Sequence, residues 1–496
     1  MYHILKGIRF SMRLNQKRQI LQLISTINEG LDYASNSDLD KSISMLYDCY
    51  EGLLFLSELL KDENKICKFL QRAIDSTQLI ISNKQEIDFI GKIKKSLKDL
   101  NYLVNNELNT EIEIAFMPYK VSMWDSLDSI YREAEKDPNC TCYVVPIPYY
   151  EKNTNGELIN FCYEGDQFPK DINITLFETY DFEKRQPDII YIHNPYDEFN
   201  YLTTVHPRYF SKNLAQYTNM LVYVPYFIAG SMETKKFNLL PSYKRVTKII
   251  TQSNTQKESY IASGMGEDRI INLGSPKIDA MLKVERDQKE IPFYWEEIIS
   301  NKKVILFNTG ITNLLENADN WINEIEEILN VFIKNSQSVF IWRPHPLTEI
   351  TIKTMRPNIL EEFEKIVKKV KLANNIIIDK NRDVYPAVAV SDGLISDYSS
   401  IMLQYIITGK PILGMLSEEM IDKERFYLAD YLGCYFTIQD ISVSQFTEMV
   451  EQSIDLKKEE RISRFKNSIC NADGTCGQKI HQKIKNEVLY NQLTDC

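Results

Sequence analysis

Three short polar segments carry the groups best suited to chemistry, and each directly follows an apolar run that reads as a β-strand. The first is Ser396-Asp397-Tyr398-Ser399-Ser400, which opens an amphipathic helical stretch ending near Gly409. A strand, a turn and a helix N-terminus form a common anion site, because free backbone N–H groups and the helix dipole favour phosphate there. The hydroxyls add donors, and Ser396, Asp397, Ser399 and Ser400 are the phosphate-binding candidates of this segment. Ser and Asp are also common N-caps, so the segment taken alone admits an ordinary helix start.

The second segment is Arg343-Pro344-His345-Pro346. Arg343 offers a rigid fork for phosphate oxygens, and His345 can donate one or two further hydrogen bonds. The prolines hold the backbone extended. Both segments sit at the carboxyl ends of strands of one sheet, where a ligand is expected. That coincidence points to a phosphorylated ligand. The third segment, Tyr191-Ile192-His193-Asn194-Pro195-Tyr196-Asp197, ends a strand in an earlier unit. An imidazole with a near-neutral pKa can take a proton from a hydroxyl, and Asp197 is placed to orient the His193 ring. His206, before Pro207, is a second candidate for that role, and a structural histidine is the competing reading of His193.

Elements must present these groups, and the prolines show where they lie. None of the 17 prolines precedes Pro118, and only four of the 17 glycines do. A long proline-free stretch favours helices. Ile43, Leu46, Tyr50, Leu53, Leu56 and Leu60 mark one helix face, and Ile87, Ile90, Ile93, Leu97, Leu100 and Val104 another, with a Ser82/Gln85 capping box before the second. Residues 11–108 are expected to form a bundle of about four helices. From Ile112 short apolar runs alternate with helical stretches, and the alternation restarts near Val304, which implies two mainly parallel sheets covered by helices. The expected division is 1–110 helical, 111–285 a first Rossmann-like domain and 286–496 a second, with a hinge between Gly274 and Lys302.

Composition removes several classes of function. A net charge of -11 makes non-specific nucleic-acid binding a poor expectation. No apolar run approaches a membrane span, and the N-terminus lacks the apolar core of a secretory signal. Nine scattered Cys read as reduced thiols in a cytoplasmic protein. Cys470, Cys476 and His481 match no common zinc spacing, so no metal site is assigned. Dinucleotide, P-loop, zincin and α/β-hydrolase signatures are missing from the sequence. The first 28 residues reverse the overall charge, with Lys6, Arg9, Arg13, Lys17 and Arg18 and no acidic residue. A short basic helix with Leu5, Ile8 and Met12 on one face is expected to contact an anionic membrane at the inner face of the cell membrane.

Taken together, the segments resemble the CDP-glycerol glycerophosphotransferase family, which builds teichoic-acid-type polymers. The similarity runs over about 188–485 and includes Gly274-Ser275-Pro276-Lys277-Ile278-Asp279, Asp383-Val384-Tyr385-Pro386, Gly409-Lys410-Pro411-Ile412 and Asp473-Gly474 beside the segments above. The resemblance implies a GT-B-like architecture, two Rossmann-like domains facing a cleft. It implies transfer of glycerol phosphate from CDP-glycerol to a hydroxyl acceptor, lipid-linked in some members, with release of CMP and no cofactor. By resemblance His193 is the general base, Arg343 and His345 contact the diphosphate, Ser399 and Ser400 add donors, and Thr309 and Lys277 are further donor contacts. The family's usual His-Gly-Thr-Pro reads His193-Asn194-Pro195-Tyr196 here, and its Ala-Pro-Thr reads Asn308-Thr309-Gly310. The acceptor, and the choice between His193 and His206, stay open on these differences. Three alternatives accompany this reading: a CDP-ribitol donor, a nucleotide-sugar glycosyltransferase, and a non-catalytic donor-binding scaffold.

Overall fold

A computed structural model describes residues 11–61, 64–83, 89–153, 155–228, 240–284, 291–381, 383–416, 434–437 and 440–494. The proline-free region folds into four helices, α1 (Leu14–Ser35), α2 (Leu39–Leu59), α3 (Asn64–Asn83) and α4 (Ile90–Asn106). Their apolar stripes bury Ile24, Leu31, Leu46, Leu53, Leu70, Ile93, Leu97 and Leu100 against one another. Asp38 caps α2 by accepting from the Lys41 N–H at 3.1 Å. The proposed Ser82/Gln85 cap lies partly outside the described residues.

The strands follow in chain order. They are β1 (Ser11–Arg13), β2 (Asn109–Phe116), β3 (Cys140–Val144), β4 (Tyr149–Lys152), β5 (Leu158–Cys162), β6 (Ile189–Ile192), β7 (Thr203–Val205), β8 (Met220–Tyr223), β9 (Lys248–Thr251) and β10 (Ile270–Asn272). The second unit holds β11 (Lys303–Thr309), β12 (Ser338–Pro344), β13 (Ile376–Ile378), β14 (Gly393–Ser396), β15 (Ile412–Gly414) and β16 (Tyr435–Phe436). The second sheet has the order β13-β12-β11-β14-β15-β16, all parallel, which is the doubly wound 3-2-1-4-5-6 pattern. The first sheet runs β1-β2-β6-β8-β9-β10, with β3 also on β2. Helices cover both faces of each sheet, so the strands read as nearly continuous apolar runs. The result is the expected GT-B-like pair of Rossmann-like units behind a helical bundle.

Three features depart from the sequence reading. A separate antiparallel sheet, β5-β4-β7, sits among the connections of the first unit. Its strands are short and lack a clear period, so they did not register as strands. Residues 11–13 form a strand on β2 where a basic surface helix was expected. There Arg13 pairs with buried Glu113 at 3.2 Å, Lys17 donates to Asn105 O and Thr110 Oγ1, and Arg18 donates to Val488 O. These three cations dock the bundle onto the first unit; Lys6 and Arg9 lie outside the described residues. No helix among the described residues is long and apolar enough to cross a membrane.

The last departure is the C-terminal helix, Cys476–Thr494. Cys476, Ile480, Ile484 and Val488 form one buried stripe, packed with Ile112, Phe116, Ala134 and Tyr191 of the first unit. Chain order assigned this helix to the second domain; its apolar face belongs to the first. Gly274 makes the crossing passable. Its φ is +98°, and a Cβ there would lie 2.1 Å from Cys470 O. Buried Asp279 then caps the crossing helix, accepting from Cys476 N at 3.2 Å and Gly477 N at 2.7 Å. Asp279→Ala removes both acceptors and should lower the unfolding free energy by about 1–3 kcal/mol in a urea titration.

Candidate functional site

The carboxyl ends of the two sheets face one another, because the turn after β2 supplies Asp125 and the turn after β13 supplies Tyr385, and these two bond directly at 2.7 Å. On the second unit, β11 is flanked by β12 and β14 in a register that sets Asn308 beside both Arg343 and Ser396. Asn308 Nδ2 donates to Ser396 Oγ at 3.0 Å and Ser399 Oγ at 3.3 Å. Ser399 is the N-cap of the Ser400–Tyr405 helix, its Oγ accepting from Met402 N at 3.3 Å. Ser399 is half-buried and Ser400 exposed at the start of that helix, while Ser396 is fully buried and serves the network from below.

Asp397 faces the turn after β11. Its Oδ2 accepts from Gly310 N at 2.6 Å, and a Cβ on Gly310 would lie 2.9 Å from the same oxygen, so only glycine lets the β11 turn close on it. Burial pushes the Asp397 carboxyl up to about 7, and the charge of Glu324 acts in the same direction. Asp397 therefore shapes the loop through Oδ2. Thr309 is likewise inward, its Oγ1 accepting from Trp342 Nε1 at 3.3 Å. That corrects its expected role as a donor contact.

His345 and Arg343 share a strand end but do different work. The His345 backbone N–H donates to Thr309 O at 2.9 Å, and its Nδ1 accepts from Leu347 N at 3.2 Å. That second bond places the ring proton on Nε2. Burial, with the Arg343 charge behind it, lowers the pKa, so the half-buried ring is a neutral donor at pH 7. Arg343 is buried and pairs with buried Asp379, while the same Nη1 reaches Asp383 O at 3.4 Å. Its geometry is that of a strut under the loop, where the sequence reading had a diphosphate clamp.

The first unit holds the other candidates. His193 has no exposed surface. Its Nε2 accepts from Tyr119 N at 3.1 Å, and its Nδ1–H faces Ser126 Oγ at 3.0 Å and Met123 O at 3.2 Å. Desolvation drives its pKa down to about 3. With both nitrogens committed, the ring has no lone pair for an incoming hydroxyl; in this arrangement it pins the turns after β2 and β6 together. Asp197 does not orient it. That carboxylate accepts from Ser211 N at 3.0 Å and from Ser211 Oγ, with Arg245 at 3.7 Å. His206 stacks on Tyr150, and its Nδ1 accepts from Arg208 N at 3.3 Å, leaving Nε2–H as a donor. Lys277, expected near the donor, is buried against Asp125 at 2.6 Å.

The structure thus gathers Ser399, Ser400 and His345 at one set of strand ends, with Arg343, Ser396 and Asp397 supporting them. Sequence reasoning missed Asn308, Asp379, Asp125 and Tyr385. The signal for Asn308 and Asp379 was a polar residue directly after an apolar run, Val304–Phe307 and Ile376–Ile378. His481 does not gather Cys470 and Cys476. It bonds Asp137 at 3.0 Å beside Cys140, and Lys485 pairs with the same carboxylate.

A family model described as CDP-Glycerol:Poly(glycerophosphate) glycerophosphotransferase matches residues 229–486, just over half of the chain. The chain belongs to this family. The match covers Lys277 near the end of the first unit and most of the second, including Asn308, Arg343, His345 and Ser396 to Ser400, and does not reach back to His193, Asp197 and His206. Two curated relatives are a teichoic acid poly(ribitol-phosphate) polymerase of Bacillus spizizenii, 24% identical over 44% of this chain, and a teichoic acid poly(glycerol phosphate) polymerase of Staphylococcus epidermidis, 26% identical over 51%. The matches cover 33% and 34% of those proteins, so the chain spans about a third of their length. Among solved structures, the wall teichoic acid polymerase TagF soaked with CDPG aligns over 87% of this chain and 99% of that one, at 20% identity and a TM-score of 0.47. A UDP-N-acetylglucosamine 2-epimerase aligns over 77% and 96%, at 14% identity and a TM-score of 0.49.

Two outcomes test the assignments on either side of the cleft. His193 titrates at about 3 folded and about 6.5 unfolded. Below 6.5 the unfolded chain takes a proton that the folded chain refuses, so stability is lost as pH falls through that window. Relative to His193→Gln, the wild-type chain should lose about 1.4 kcal/mol per pH unit on acidification below about 6.5, measured by denaturant titration at several pH values. Arg343→Met leaves Asp379 buried without its counter-charge and should cost about 3–5 kcal/mol, part of it recovered by adding Asp379→Asn.

Proposed function

We propose that this chain transfers an alditol phosphate from a CDP-alditol, CDP-glycerol first, to a hydroxyl acceptor and releases CMP. The observation that carries the reading is the family match across the strand ends that hold Ser399, Ser400 and His345. The donor's diphosphate lies over those ends. Ser399 and Ser400 meet it from the helix start, His345 donates through Nε2–H, and Asn308 holds the serine hydroxyls in place. The acceptor hydroxyl approaches from the first unit, in line with the departing CMP oxygen. The bond from phosphorus to that oxygen breaks, the acceptor oxygen takes its place, and the hydroxyl proton leaves to water or to a phosphate oxygen. In a loose phosphoryl transition state the protein's contribution is mainly positioning and charge stabilisation. The reading therefore stands without His193 as a base.

CDP-ribitol is the second donor to test, since one relative is a poly(ribitol-phosphate) polymerase. The closed His193 favours one further alternative, a chain that binds donor without turning it over. A donor screen resolves all three. CMP release from CDP-glycerol or CDP-ribitol, with mass analysis of the extended acceptor, supports the transferase and names the donor. Binding of either donor without CMP release on any hydroxyl acceptor supports the scaffold. Ser399→Ala and His345→Ala should each weaken donor binding about 10-fold or more in titration calorimetry, as expected for hydrogen bonds to a charged group. Unchanged affinity in both would move the diphosphate elsewhere.

A further inference from the structure

The joint between the units contains a continuous run of contacts that donor binding alone does not require. It starts on the first unit, where Lys277 and Tyr385 share the Asp125 carboxylate, at 2.6 Å and 2.7 Å. Tyr385 belongs to the second unit. Its ring is buried in one apolar cluster with Ile278 and Met281 of the helix that carries Lys277. Its own backbone N–H donates to Asp383 Oδ1 at 2.8 Å. The Asp383 carbonyl accepts from Arg343 Nη1, which also pairs with Asp379. Two residues on, the His345 backbone is tied to Thr309. A buried tyrosine hydroxyl needs a partner, and Asp125 fills that need across the joint. Parting the units would strip it from Tyr385 and release the Asp383 turn on which Arg343 rests.

We propose that Tyr385 and Asp125 are positioning residues: their bond sets the register of the two units and transmits it, through Asp383 and Arg343, to the strand end that presents His345. The kinetic consequence rests on the proposed alditol-phosphate transfer, while the structural one does not. Tyr385→Phe in the full chain removes a single hydroxyl. Hydrogen–deuterium exchange should then quicken about 10-fold over 121–127 and 383–390, as for loss of one hydrogen bond, with the β11 and β12 core unchanged. With CDP-glycerol, kcat should fall about 10-fold or more while the Kd for CMP moves less than about threefold, because the loss is of alignment and not of donor contacts. Asp125→Asn keeps an oxygen for Tyr385 and should retain the protection over 383–390 even where Lys277 loses its counter-charge. A wild type that neither binds CMP nor releases it from either CDP-alditol would sink the functional reading, and the exchange comparison would still judge the joint. Unchanged exchange in both segments of Tyr385→Phe, or faster exchange spread evenly over the chain, would overturn the proposal.

Discussion

Asp125 sits between an ammonium and a phenol that come from different parts of the chain, with little solvent to share the charge. Lys277 is still more enclosed. A buried ion pair contributes little net stability when intact but costs several kcal/mol when one partner is lost. Such a contact therefore acts less as glue than as a constraint on arrangement. The two sheets must meet where Lys277, Asp125 and Tyr385 coincide, and the groups on either side of the cleft are presented from that geometry.

The proposed donor side is built almost entirely from strand ends. Parallel register places Asn308, Arg343 and Ser396 side by side, and hydrogen bonds among them orient the few groups that stay open to a ligand. Most polar residues in the motif segments serve the scaffold. Asp397 holds Gly310, Thr309 takes the indole of Trp342, and Arg343 neutralises Asp379. The division follows from burial: an enclosed polar group needs a partner within the protein, and having found one it is no longer free for substrate. Ser400 and the His345 edge remain because they lie where the strands stop.

The segment around Gly274 has a comparable architectural role. Gly274 lets the chain pass against Cys470, Lys277 reaches Asp125, and Asp279 caps the helix that returns to the first unit. A run that looks in sequence like a ligand loop is the crossing point of the molecule. Asp473 and Gly474, far away in the chain, lie in the same crossing, between Asn471, which bonds Leu273 O, and the capped Cys476.

Much of this was legible in the residues. Apolar spacing without proline marked the four helices, and alternating apolar runs marked both parallel sheets, because helix and buried strand leave different periods. The polar strand ends proposed to meet the donor were legible too, since polar residues directly after an apolar strand have few other places to go. Tertiary structure alone decided which polar groups are spent. His193 carries the right chemistry at a strand end, but the turn after β2 folds over it and supplies Tyr119 N, Ser126 and Met123 O. Arg343 and Lys277 find carboxylates 36 and 152 positions away. The last helix follows its apolar stripe to the first unit, against the order of the chain. Local sequence states what a side chain can donate or accept. Which atom meets it, and whether water is left over, depends on contacts between distant segments that no spacing along the chain encodes.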